Sequence, residues 1–131
     1  MRYECGGNVM KNDNVIVDKS KIFALRIIKA YKYLSDKKEY VLSKQMLRSG
    51  TSIGANVKEA VRAQTTPDFI TKMNIALKEA SETEYWIELL VESEYLTEEA
   101  GNSLKNDCVE LIKILTAIIN SSKTNLKKKL L

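Results

Sequence analysis

Histidine is absent from the sequence, and proline (one), cysteine (two) and glycine (five) are scarce in its 131 residues. Without histidine the chain cannot form a Ser-His or Cys-His nucleophilic pair, nor the carboxylate-histidine di-iron site found in some helical bundles. So few prolines and glycines argue against an all-β fold with many turns. Cys5 and Cys108 are too few for a disulfide framework or a zinc site. These scarcities favour long helices.

Long hydrophobic runs are also lacking. No stretch approaches the roughly 20 apolar residues that a membrane span requires. No basic segment followed by an apolar run opens the chain, so we expect no secretory signal. We therefore predict a cytoplasmic protein with no membrane association. Met1 and Met10 are both candidate starts, and the sequence does not choose between them.

Features that would indicate a catalytic or ligand site are few. Gly6-Gly7 and Gly50…Gly54 match neither the dinucleotide nor the P-loop spacing. One acidic cluster could bind a metal; its members are Glu79, Glu82, Glu84 and Glu88. A metal would need facing carboxylates, whereas Lys and Arg dominate the preceding half of the chain, so a solvated or intersubunit face is favoured. We predict no catalytic residue, no cofactor and no metal.

Apolar residues recur with helical spacing along most of the chain, and no segment is typical of a strand. The pattern predicts an all-α fold, an antiparallel up-down-up-down four-helix bundle spanning residues 18–122. Thr66, before Pro67, and Thr97 are candidate N-caps. The predicted segments are a flexible N-terminal arm at 1–17, helices at about 19–35, 39–63, 67–94 and 97–122, and a basic C-terminal tail at 123–131.

Two of the predicted helices carry a second apolar stripe besides the one that faces the core. A monomeric bundle needs only one stripe per helix, so the second stripe predicts burial against another subunit or a wider core. The sequence therefore predicts a homo-oligomer. The predicted interface residues are Ile22, Leu25 and Ile28 on the first helix, and Ile75, Trp86 and Leu89 on the third.

The predicted second helix is rich in small residues between Gln45 and Ala60. Glycine inside a helix costs about 1 kcal/mol relative to alanine, so Gly50 and Gly54 require a reason, and close approach of another helix is the one we favour. Asn56 lies at the edge of the inward face. We predict that its side chain makes a hydrogen bond that fixes the helix register, with a ligand contact as the alternative.

Charge is distributed unevenly within the net charge of +4. Residues 18–63 hold eleven basic and four acidic residues, whereas residues 67–122 hold four basic and eleven acidic ones. Such an asymmetry predicts either that the basic half contacts a polyanion or that it meets the acidic half of a neighbouring subunit. The two are compatible.

The basic residues of the first two predicted helices accumulate on one side of the chain. A solvated helix face is the simplest explanation of the spacing alone, but the accumulation favours a nucleic acid bound through its phosphates, RNA or DNA. The alternative is a protein-interaction scaffold or accessory subunit whose charges serve assembly. The predicted basic face consists of Arg26, Lys29, Lys32, Lys44, Arg48, Lys58 and Arg62.

Two segments have a distinctive order and spacing of residues. They read Gln45…Arg48-Ser49…Ser52-Ile53…Ala55-Asn56-Val57…Glu59 and Phe69-Ile70…Asn74-Ile75-Ala76…Glu79-Ala80…Glu82-Thr83-Glu84. In these segments the sequence resembles the small four-helix-bundle proteins encoded within 23S rRNA intervening sequences, and the resemblance extends over roughly residues 20–120. It departs at Gly54, where a proline is usual, and at Lys58-Glu59-Ala60, where Ala-Glu-Gly is usual.

This resemblance implies an antiparallel four-helix bundle that assembles into a ring-like homopentamer, with no enzymatic activity. A related group, the accessory proteins of diversity-generating retroelements, binds nucleic acid and a reverse transcriptase through basic surfaces. A reverse transcriptase is therefore an implied candidate partner.

Overall fold

The computed structural model describes the backbone of residues 7–131 and the side chains of residues 15–131. The part of the predicted arm that precedes Gly7, with Cys5 and Met1, lies outside the described residues. The four helices are α1 (Gly7–Asp36), α2 (Leu42–Ala60), α3 (Thr66–Glu92) and α4 (Glu98–Leu130).

Each helix packs against its two neighbours around the bundle. Contacts join α1 to α2, α2 to α3, α3 to α4 and α4 to α1, while the backbones of the diagonal pairs stay more than 8 Å apart, measured between Cα atoms of the described residues. Short connections between successive helices make each one antiparallel to the next. The predicted all-α up-down-up-down bundle is confirmed.

Both terminal helices are longer than predicted. α1 begins at Gly7 rather than near residue 19, so residues 7–17 of the predicted arm are helical. Ile16 is fully buried and continues the core stripe of α1 towards the N-terminus. α4 runs to Leu130, so the predicted tail forms its last turns, and Leu126 packs against the core. Burial of these apolar side chains favours helix where the polar local sequence suggested its end.

Threonine side chains cap the N-termini of α3 and α4. The hydroxyl of Thr97 accepts a hydrogen bond from the backbone N–H of Ala100 at 3.1 Å, as predicted for this cap. At the other helix the cap is Thr65, one residue before the predicted Thr66, and it accepts from the N–H of Asp68 at 3.2 Å. These acceptors satisfy backbone donors that the first turn leaves unpaired.

The core follows the predicted inward stripes. Cys108 is fully buried, and its thiol donates to the carbonyl oxygen of Ala80 at 3.1 Å. Burial raises the pKa of this thiol to about 12, so it stays protonated and packs as a small apolar group. The predicted stripe residues that are buried include Phe23, Ile27, Leu34, Met46, Ile53, Val57, Met73, Ala80, Ile87, Leu111 and Leu115.

The small residues of α2 permit close packing, and they do so in different ways. A Cβ built on Gly50 would lie 2.9 Å from two side-chain carbons of Ile27, so α1 approaches closely there. Ser49 accepts a buried hydrogen bond from the Thr83 hydroxyl at 2.8 Å, which joins α2 to α3. Asn56 instead donates to the carbonyl oxygen of Ser52 within its own helix, at 2.9 Å. Ser49 therefore makes the interhelical bond that the sequence suggested for Asn56.

Candidate nucleic-acid interface

The seven cations of the predicted basic face do not share one environment. Arg26 and Arg48 form ion pairs with acidic residues of other helices. The remaining five are exposed, and none makes an ion pair with a described residue. These five are Lys29, Lys32, Lys44, Lys58 and Arg62.

Arg26 joins α1 to α4. Its Nη1 lies 2.6 Å from Oδ2 of Asp107, and its Nη2 donates to the Ser103 hydroxyl at 3.0 Å. The fork of the guanidinium thus holds two side chains of α4 at once. Arg26 therefore connects α1 to α4, and the carboxylate of Asp107 largely compensates its charge.

Arg48 occupies the corresponding position between α2 and α3. It donates to the carboxylates of Glu79 and Glu82, and the Trp86 indole Nε1 donates to the same Glu82 oxygen at 3.0 Å. The hydrogen bonds from Trp86 and Arg48 lower the pKa of Glu82. The hydrogen bond with Glu82 raises the pKa of Arg48. Both shifts favour the ionised forms of Glu82 and Arg48, and all partners of this network lie within the chain.

The charge asymmetry of the sequence is thus partly compensated by ion pairs within the chain. Lys19 of α1 also pairs with Glu110 of α4, with a distance of 3.1 Å between Nζ and Oε1. Together with the pairs of Arg26 and Arg48, this contact joins the basic half of the chain to the acidic half. Neither a polyanion nor a neighbouring subunit is needed to compensate these particular charges.

Four of the five unpaired cations of the predicted face lie along, or just beyond, the outward sides of α1 and α2. At 100° per residue, Lys44 and Lys58 lie on the side of α2 away from its buried stripe, and Arg62 follows two residues after the end of α2. Lys32 lies opposite the buried stripe of α1, and Lys21 lies on the same side of the helix as Lys32. We call these residues the outer basic row: Lys21, Lys32, Lys44, Lys58 and Arg62.

The outer basic row leaves out three of the seven predicted cations, Arg26, Lys29 and Arg48, and includes Lys21 in addition. Lys21 was missed from the sequence, although its spacing of 11 residues from Lys32 would have placed both on one side of a helix. Lys29 instead lines a groove of about 570 Å³ between α1 and α4, with Arg26, Tyr33 and Leu104. The outer basic row therefore keeps Lys32, Lys44, Lys58 and Arg62 of the predicted face.

The residues predicted to form an oligomer interface lie on α1 and α3, which are diagonal to each other in the bundle. On α1, Ile22 and Leu25 are 59% and 57% exposed, which is high for large apolar side chains. On α3, Trp86 and Leu89 are half-buried. Because α1 and α3 are diagonal in the bundle, the two apolar stripes face opposite directions. Ile28 and Ile75, the remaining members, are half-buried.

Other kinds of site find little support. Within residues 15–131 no three Cys, Asp or Glu side chains are grouped so that they could hold a metal ion. None of the helices in the described part of the chain is long and apolar enough to cross a membrane. The geometry offers a charged surface rather than a pocket with converging reactive groups.

Comparison with known proteins agrees with this architecture. The family model of the 23S rRNA-intervening sequence protein matches residues 12–117. A crystal structure from Bacteroides thetaiotaomicron, described as a protein of unknown function from the S23 ribosomal protein family, is 58% identical with a TM-score of 0.82. That match covers 83% of this chain and 98% of the other. No curated protein matches the sequence.

Proposed function

The chain belongs to the 23S rRNA-intervening sequence protein family, as the sequence resemblance indicated, and on that premise we propose that it binds the phosphate backbone of RNA. We propose further that it does so as a non-catalytic homo-oligomer. The observation that carries the proposal is the outer basic row, whose five cations remain exposed and without described ion-pair partners after the intramolecular pairs are assigned.

Exposed cations on adjacent helices suit phosphates because binding of this kind requires charge density and not a base-reading motif. The ion pairs of Arg26 and Arg48 help to hold the helices that carry the row, so we assign these two arginines to the fold. Lys32, Lys44, Lys58 and Arg62 are the residues of the original prediction that we retain for RNA contact. Lys21 joins them.

The first test removes three cations of the row by the substitutions Lys44→Ser, Lys58→Ser and Arg62→Ser. We expect weaker RNA binding and a reduction of about 2–3 in the slope of log affinity against log salt, because each lost phosphate contact removes about 0.7–0.9 from that slope. The measurement is fluorescence anisotropy with a labelled RNA across a salt series.

The matched control changes Lys78, Lys113 and Lys123 to Ser. These lysines are exposed on α3 and α4 and make no described ion pair, so the control loses the same formal charge from other helices. We expect its affinity and salt slope to stay near those of the wild type. Equal losses in the two variants would reduce the effect to net charge and refute the role of the row.

The exposed stripe of α1 supports the homo-oligomeric part of the proposal. Ile22 and Leu25 on one side of the bundle and Trp86 and Leu89 on the other suit a head-to-tail contact, in which one protomer's α1 packs on the next protomer's α3. Contacts of that type close into rings when the rotation permits. The ring-like pentamer implied by the family resemblance is one such assembly.

Sedimentation velocity at micromolar concentration tests the assembly. We expect the wild type to sediment as an oligomer and the double variant Ile22→Ser, Leu25→Ser to dissociate, because the substitutions remove apolar area from the proposed contact. Val41→Ser is the control, since Val41 is 73% exposed but lies outside both stripes. A monomeric wild type would refute oligomerisation. Oligomers that dissociate in high salt and bind no RNA in low salt would favour the protein scaffold.

A further inference from the structure

The outer basic row consists of two groups of cations at different heights on the α1–α2 surface. Gly50 lies beside Ile27 and Gly54 beside Ser20, and these neighbours show the antiparallel register of the two helices. In that register Lys32 lies near the height of Lys44, and Lys21 lies nearer the height of Lys58. At about 1.5 Å per residue, Lys44 and Lys58 are separated by about 21 Å along α2.

The surface between the two groups offers no ring for a base to stack on. Thr51 and Ala55 are the outward residues of α2 there. The exposed tyrosines in the described part of the chain lie elsewhere. Tyr33 is in the α1–α4 groove, Tyr85 is on α3, Tyr95 is in the α3–α4 connection, and Tyr40 precedes α2 at one end of the row.

This arrangement bears on which form of RNA the row can hold. Proteins that bind single strands gain about 1–3 kcal/mol per base from stacking on aromatic side chains. A surface that contacts phosphates alone gains mainly by releasing counterions, about 0.9 per contact on a duplex and about 0.7 on a single strand. A single strand would also lose conformational entropy when ordered along two rigid helices, whereas a duplex is already ordered.

We propose that the outer basic row binds double-stranded RNA in preference to single-stranded RNA, an inference that rests on the proposed function and names its substrate class. The phosphates of the duplex contact the Lys32/Lys44 group and the Lys21/Lys58/Arg62 group together. With five contacts, the difference in counterion release corresponds to about tenfold tighter binding of the duplex near 0.1 M salt. Recognition is by charge and shape, as is usual for double-stranded RNA.

The experiment compares a labelled RNA duplex of about 20 base pairs with each of its separated strands, chosen to lack self-complementarity. Affinity is measured in a salt series for the wild type, for the Lys44→Ser, Lys58→Ser, Arg62→Ser variant and for Tyr40→Ala. We expect about tenfold tighter binding of the duplex and a steeper salt slope for it. We expect the triple substitution to reduce this preference and Tyr40→Ala to leave it unchanged.

The outcomes distinguish failure of the duplex preference from failure of the proposed RNA binding. If the strands bind as tightly as the duplex or more tightly, and Tyr40→Ala weakens them, the preference for a duplex is wrong while RNA binding stands. If neither form binds, or if both bind equally in the triple variant and the wild type, the proposed function itself fails. Circular dichroism and thermal melting of each variant ensure that a loss of affinity is not a loss of fold.

Discussion

Replacing Gly50 by alanine is expected to destabilise the bundle by about 1–2 kcal/mol, although alanine is the better helix former. Its new methyl group would lie 2.9 Å from Cγ1 and Cγ2 of Ile27 and 3.3 Å from its Cβ. Ile27 is fully buried and β-branched, so it has little freedom to rotate away. Overpacking costs about 1–3 kcal/mol and exceeds the gain of about 1 kcal/mol in helix propensity.

Gly54 provides a matched control on the same helix. A methyl group there would lie 3.4 Å from the Ser20 hydroxyl oxygen, an ordinary contact distance. We therefore expect Gly54→Ala to be neutral or to stabilise by up to about 1 kcal/mol. Urea unfolding of both variants measures the two effects. Equal changes in the two variants would contradict a specific clash at Gly50.

A double-mutant cycle identifies the cause. If the cost of Gly50→Ala arises from Ile27, the same substitution in an Ile27→Ala background should lose its penalty, because the new methyl group enters space that the isoleucine vacated. The Ile27→Ala change alone should cost about 2–5 kcal/mol. A penalty that persists in that background would show that backbone packing, and not the Ile27 side chain, excludes the methyl group.

Replacing Glu39 by alanine should destabilise the protein by about 2 kcal/mol, and replacing it by glutamine by about 1 kcal/mol. Glu39 is nearly buried, and its carboxylate accepts from the backbone N–H groups of Val41, Leu42 and Ser43 at 3.1, 3.0 and 2.6 Å. It thereby caps α2, since the side chain of Val41 at the N-cap makes no capping hydrogen bond. Glutamine keeps one carbonyl acceptor but loses the charge that favours a helix N-terminus.

The Glu39 cap also predicts a dependence on pH. Burial alone would raise the pKa of Glu39, but the backbone hydrogen bonds outweigh it and lower the pKa below its ordinary value of 4.5. A lowered carboxyl pKa contributes stability that is fully present above 4.5 and is lost as pH falls through the folded-state pKa. The stability difference between wild type and Glu39→Gln should therefore be constant near neutral pH and shrink in acid.

Urea unfolding of the wild type and the Glu39→Gln variant between pH 7 and about pH 3 measures this difference. The other carboxyl groups titrate in both proteins, so their contributions largely cancel in the comparison. A difference that stays constant across the acidic range would refute the charged cap. A loss near neutral pH would point to a different titrating group.

Prediction from sequence succeeded where the physical cause is local. The inward stripes of all four helices follow from apolar spacing, and Phe23, Met46 and Leu115 are buried as that spacing predicts. It failed at the ends of the chain. Polar residues before Val15 suggested a flexible arm, yet Ile16 is buried and the helix begins at Gly7. Burial of Ile16 against the rest of the bundle depends on the packed helices, so local sequence did not predict it.

The candidate site divides in the same way. The sequence predicted seven cations on the first two helices as one basic face, and the family could be recognised from ordered residues in α2 and α3. The sequence could not show which of those cations form ion pairs and which remain unpaired. Arg26 meets Asp107 across 81 residues of sequence, and Arg48 meets Glu82 across 34. Such pairs exist only after the helices have packed.

The sequence by itself therefore determined the helical architecture, the core residues and the overall imbalance of charge, because periodicity and composition are carried by near neighbours along the chain. Only the tertiary structure decided that Arg26 and Arg48 form ion pairs within the chain and that Lys44, Lys58 and Arg62 remain exposed to solvent. It also decided that Gly50 must be small, whereas Gly54 has room for a methyl group. Each of these outcomes depends on which side of one helix faces the next, a property of the packed bundle.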